Sequence, residues 1–223
     1  HPYGEEKQFS YRVLARFAQE LESAGFPVLR FDAYGYGDSD GVLEDSTVES
    51  LVAETLAVAE QAREILGTRK IALLGMRLGA TIAALAAERD PSTSGLVLWS
   101  PIQEGHRYVE ELIRQRLFRE IATWGSELTR DQLHDQLYTE GAVEIAGDFL
   151  TRAMAEGLSE SAAIRRAGFR VYGSKPGAYG AGLQALIDER GWREEADLAR
   201  AYLAWGGYAY GGGASGEAAH GLF

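Results

Sequence analysis

The chain has 223 residues, 46% hydrophobic and 25% charged, with no Cys and a net charge of -11. This is the composition of a folded globular protein, and no apolar run approaches the roughly 18 residues of a membrane span. Without Cys there are no disulfides, thiolate metal sites or Cys nucleophile, which fits a reducing, cytoplasmic compartment. The acidic balance argues against nucleic acid and anionic membrane as partners, and four dispersed His argue against a metal cluster, so no cofactor is expected. His1 is followed by no leader pattern, and the N-terminus reads as cut.

Val13, Leu14, Phe17, Ala18 and Leu21 recur at helical spacing and Gly25 ends that helix. Residues 26 to 32 then read as a short buried strand, followed by a polar, Gly-punctuated loop from Asp32 to Gly41. Ser46 and Glu49 have capping-box spacing, and Val48, Leu51, Val52, Leu56, Ala59, Ala62, Ile65 and Leu66 line one face of a helix that stops at Gly67. Two wholly apolar runs, Ile71 to Leu74 and Leu96 to Trp99, predict buried strands over 70 to 75 and 95 to 100, parallel to that at 26 to 32. Leu78, Ile82, Leu85 and Ala86 make the helix between them, ended by Asp90 and Pro91. Strands alternating with helices predict a parallel α/β sheet, whose ligands bind at the carboxyl ends of the strands. From 102 to 158, helical spacing of Val109, Leu112, Ile113, Leu117 and Ile121 predicts a mainly helical cap over those ends. The basic run Arg114 to Arg119 reads as a solvated helix face.

Gly75-Met-Arg-Leu-Gly79 lies between a strand and a helix, the setting of a nucleophile elbow, G-x-S-x-G, with Arg77 in the serine position. An ordinary strand-to-helix turn needs glycines for the same steric reasons. His1-Pro-Tyr-Gly-Glu-Glu6 resembles the oxyanion-loop segment of α/β-hydrolases of the serine aminopeptidase or lysophospholipase type. Residues 25 to 41 resemble their fourth strand and the loop after it. Gly75 to Ala80 is similar to the Arg-bearing elbow of a hydrolase type associated with exosortase systems. The resemblance covers residues 1 to 160 and implies an incomplete α/β-hydrolase-like parallel sheet with a helical cap, acting on ester, amide or acyl substrates.

Arg77 departs from that pattern, because a guanidinium with a pKa above roughly 12 has no nucleophilic form. The acid and His partners are not identifiable after residue 160 either. Serine chemistry is therefore not expected at the elbow, and the family member reads as a pseudoenzyme. Ser39 and Ser100 are the alternative nucleophiles, one a turn residue and the other a strand end before Pro. An Arg at a helix N-terminus suggests an anionic guest. Arg77, the Leu78 N–H and the Tyr3 N–H would converge on the head of a small anionic or acyl molecule. Against this stands an Arg paired with Asp32, Asp38 or another local carboxylate. The Asp32-x-x-Gly35-x-Gly37 spacing invites a dinucleotide reading, but Asp40 stands where the third Gly belongs.

Residues 161 to 223 are a different kind of sequence, with 13 of the 27 Gly and a net charge of +1. Val171 to Gly182 and Leu198 to Gly211 closely resemble part of the large, tetrapyrrole-binding subunit of cobaltochelatase and its magnesium chelatase relatives. The resemblance implies metal and macrocycle handling, with Lys175, Glu217 and His220 as the groups able to touch a carboxylated macrocycle or metal. Two short amphipathic helices are expected there, around Leu183, Leu186 and Ile187 and around Leu198, Tyr202, Leu203 and Trp205, weakly docked and most mobile from Gly206 to Gly216. Neither family normally contains the other, and a joined or truncated reading frame is the economical explanation.

Overall fold

The computed structural model describes residues 1 to 160 except Gln103 and Ser126. The expectations for 161 to 223, helices, mobility and the groups Lys175, Glu217 and His220 included, lie outside the described residues. The described part is an α/β unit: helices α1 (Glu5–Ser23) and α2 (Val48–Leu66), strand β1 (Ile71–Met76), helix α3 (Leu78–Arg89) and strand β2 (Thr93–Trp99). Next come α4 (Gly105–Trp124), α5 (Arg130–Asp135), strands β3 (Ala142–Ile145) and β4 (Asp148–Thr151), and α6 (Arg152–Glu160).

β1 and β2 pair in parallel, Leu73 opposite Leu96 and Met76 opposite Trp99, with α3 as the crossover. The run at 26 to 32, predicted as a third strand beside them, is not one. It joins no ladder among the described residues, and its side chains stay open, Phe26 at 40% and Leu29 at 42% exposure. Apolar character fits a segment for a sheet, but a strand forms only where a neighbouring strand pairs with its N–H and C=O groups.

α2 forms where periodicity placed it and ends at Gly67, whose φ of 60° is a left-handed cap. Its start differs by one residue. Thr47 accepts from the Ser50 N–H at 3.0 Å while the Ser50 hydroxyl accepts from the Thr47 N–H at 2.9 Å. Ser46 instead donates to the Tyr34 carbonyl at 2.9 Å, tying the loop to the helix.

The cap is helical in the main, with one addition. β3 and β4 form an antiparallel hairpin whose turn residues, Ala146 and Gly147, both take positive φ, 58° and 91°, as a two-residue primed turn requires. Four-residue strands are too short for alternation to stand out in the sequence. Tyr108, Val109, Leu112 and Ile113 of α4 join Leu133, Leu137, Val143, Leu150, Met154 and Leu158 in one buried cluster that also holds Leu78 and Ile82 of α3. The cap therefore packs on the start of α3. Ile121, expected on this buried face, is 52% exposed together with Phe118 at 74% and Trp124 at 77%, because the last turns of α4 run past the core. Arg116 and Arg119 in the basic run are ion-paired, Arg116 with Glu120 and Glu144 and Arg119 with Glu5.

No helix among the described residues is long and apolar enough to cross a membrane.

Candidate functional site

The chain passes from β1 into α3 through Arg77 with φ 53° and ψ -117°. A positive φ at a non-Gly residue costs on the order of 1 to 3 kcal/mol and needs support. Part of it is a hydrogen bond from the Arg77 N–H to the Trp99 carbonyl, 2.9 Å, which ties the turn to the end of β2. The rest is steric. A Cβ on Gly75 would lie 2.0 Å from the Gly79 carbonyl oxygen, and one on Gly79 would lie 2.6 Å from the backbone N and O of His1. Strand end and helix start thus touch through Gly75, the close packing the G-x-R-x-G spacing predicted, and Gly79 adds a contact with the N-terminal His1 that the spacing did not foresee.

The guanidinium of Arg77 is held by Glu6 and Glu111 rather than by Asp32 or Asp38. Its Nε donates to Glu6 Oε1 at 3.0 Å and its Nη2 to Glu111 Oε2 at 3.4 Å. The Tyr108 hydroxyl donates to the other Glu6 oxygen at 3.1 Å, and the Tyr108 ring lies 5.2 Å from the guanidinium carbon, within cation–π range. Burial raises the Glu6 carboxyl above its ordinary pKa, and Arg77 and Tyr108 oppose that by stabilising the carboxylate. For Arg77, burial works against the charge and the facing Glu6 and Glu111 more than offset it, so the cation is firmly held. One cation thus faces two carboxylates.

The expectation of a local carboxylate partner is met by residues that the sequence reading did not single out. Glu6 stands 71 positions and Glu111 34 positions from Arg77. The only hint was placement: Glu6 closes the oxyanion-like segment, and Tyr108 and Glu111 sit three apart on the cap helix.

Tyr3 is buried at 4% exposure, its hydroxyl donating to the Phe149 carbonyl at 2.6 Å. Burial first, then the nearby Asp148, pushes its phenol up. Leu78, 1% exposed, is the first residue of α3. Asp32 pairs instead with Lys7 at 2.7 Å.

Ser39 donates to the Asp32 carbonyl at 2.6 Å, as a turn residue does. Ser100 follows the last residue of β2 with a φ of 48°. Among the described residues no serine hydroxyl is hydrogen-bonded to a His. His134 faces Glu110 at 3.1 Å and His106 faces Glu104 at 3.8 Å, both on the cap. No group of three or more His, Asp or Glu among the described residues could hold a metal ion.

The C-terminal stretch, residues 145–223, matches the CobN/Magnesium Chelatase family model. Over 72 residues the chain is 62% identical to an aerobic cobaltochelatase subunit CobN of Sinorhizobium sp and 53% identical to that of Pseudomonas aeruginosa. Each match takes in 32% of this chain and 6% of the relative, so the chain spans a small fraction of these curated proteins. A solved structure of a protein of Agrobacterium vitis S4, provisionally described as a hydrolase, is 25% identical and covers 63% of this chain and 51% of its own, with a TM-score of 0.45. The family model for serine aminopeptidase, S33, matches residues 8–157, which run from within α1 through β2 and the elbow to nearly all of the cap, and the chain belongs to that hydrolase family.

Proposed function

We propose that the chain is a hydrolase-family protein without serine chemistry, whose elbow at most holds a small anionic or acyl molecule. The observation that carries this is Arg77 in the strained elbow backbone, with Glu6 on its Nε. A guanidinium there offers no lone pair for attack on an acyl carbon and no route to an acyl-enzyme. What it offers is a forked donor for an oxyanion. The Leu78 N–H, in the first turn of α3, and the Tyr3 N–H would be the backbone donors to such a guest. An activated Ser39 or Ser100 is less supported, because Ser39 already spends its hydrogen on Asp32.

A fluorophosphonate probe applied to the full chain tests the reading. No labelled peptide is expected by mass mapping; labelling of Ser39, Ser100 or any other serine would make the protein an active hydrolase.

A second reading belongs to residues 145–223 alone, and the 62% identity to a cobaltochelatase subunit favours it. This stretch would be a piece of a metal-inserting, tetrapyrrole-handling subunit. It would have no insertion activity by itself, since the chain covers only 6% of that relative. Cobalt-dependent change in the absorption of a tetrapyrrole mixed with the purified chain would refute that view.

A further inference from the structure

The two carboxylates on Arg77 are not equivalent. Glu6 is anchored: its side chain is 20% exposed, its bond to Nε is 3.0 Å, and its second oxygen accepts from Tyr108. Glu111 is 46% exposed, its bond to Nη2 is 3.4 Å, close to the outer limit of a hydrogen bond, and it reaches down from the cap helix α4. An exposed pair of this kind contributes little, because water competes for both partners. Removing Glu111 would therefore open one side of the guanidinium fork at small cost, while Glu6 keeps the side chain aimed.

From this asymmetry we infer that Glu111 is a built-in competitor, a carboxylate of the cap standing on Arg77 where the carboxylate of a small molecule binds when Glu111 swings out to solvent. The inference rests on the proposed ligand role of the elbow and names the ligand class, a monocarboxylate. A self-ligand is a template for the group that displaces it: a planar, singly charged, two-oxygen head that the guanidinium edge can hold through two parallel bonds. Exchange of one carboxylate for another leaves the charge against Arg77 unchanged. A dianion would meet Glu6 with twice the repulsion, so phosphate is disfavoured.

Titration calorimetry of the full chain with sodium butyrate, and separately with inorganic phosphate, tests this at low ionic strength. Glu111→Gln and Glu111→Ala should each bind butyrate about two- to five-fold more tightly than the starting protein, the range set by an exposed ion pair. Phosphate should bind more weakly than butyrate throughout, and Arg77→Gln in the Glu111→Gln background should abolish butyrate binding. Two Glu111 variants guard against one that misfolds, and far-UV circular dichroism identifies it. Equal butyrate affinity with and without Glu111, still dependent on Arg77, would overturn the competitor role and leave the ligand site standing. Tighter phosphate than butyrate binding would overturn the ligand class. No butyrate or phosphate binding by any variant would sink both the inference and the ligand reading beneath it.

Discussion

Gly75→Ala is the sharpest perturbation of the elbow. Gly75 sits in β1 with ordinary strand backbone, so an added methyl brings no cost of conformation; the whole effect is steric. The new Cβ would meet the Gly79 carbonyl oxygen at 2.0 Å, its carbon at 2.3 Å and the Ala80 nitrogen at 2.5 Å. All three are backbone atoms of α3's first turn and cannot rotate aside. Relief requires β1 and α3 to separate by roughly 1.5 Å, against a contact distance of about 3.5 Å between unbonded heavy atoms. That gap loosens Leu78, Ala80, Ile82 and Ala83, all buried. Overpacking of this sort costs about 1 to 3 kcal/mol, and the immobility of the opposing backbone places Gly75→Ala at the upper end. Urea unfolding followed by tryptophan fluorescence measures it, with Trp99 buried against Phe17 as a reporter. Gly67→Ala is the control: nothing lies within 4 Å of its Cβ position and its φ is +60°, so it costs about 1 kcal/mol through backbone strain alone. A Gly75→Ala protein as stable as the starting protein, or less affected than Gly67→Ala, would refute the steric account of the elbow.

Ester hydrolysis should be negligible in the starting protein, unchanged in Arg77→Ala and still absent in Arg77→Ser. p-Nitrophenyl ester assays check this; robust activity that disappears in Arg77→Ala would demand another mechanism. Burial opposes the charge of Asp90, but hydrogen bonds from the Ser92 hydroxyl, Arg63, the Ser92 N–H and Thr93 outweigh it and hold the carboxyl at about 2, below its ordinary 3.8. A depressed carboxylate stabilises the fold above 3.8, and that contribution is lost as pH falls towards 2. After discounting for solvent screening the effect is about 1 kcal/mol, so acid unfolding curves of Asp90→Asn should show a shallower loss between pH 4 and pH 2, and an unchanged slope would refute the assignment. Leu137→Ala, at a fully buried site in the cap, should cost about 2 to 5 kcal/mol by cavity formation; an unchanged midpoint of thermal unfolding would deny Leu137 its place in the shared core.

Much of the architecture was legible in the chain because it rests on local steric and periodic rules. The face of α2 from Val48 to Ala62, the stop at Gly67 and the pairing of two apolar runs across α3 all follow from spacing within a few turns. So does the elbow itself: Gly75 and Gly79 are needed wherever a strand end and a helix start approach this closely, whatever residue stands between them. The C-terminal resemblance was equally plain, since a stretch 62% identical over 72 residues needs no geometry to recognise.

Only the tertiary structure decided which charges meet. Arg77 passed over the acids of the 32 to 41 loop for Glu6 and Glu111, because an ion pair between separate elements obeys no sequence period and depends on where packing of α1 and α4 leaves their side chains. The fate of residues 26 to 32 was settled in the same way. Their apolar run suits a strand, but a strand exists only through hydrogen bonds to a neighbour, and among the described residues no strand pairs with them. Composition sets what a segment can become, and the groups that surround it in space determine which of those states its polar atoms can satisfy.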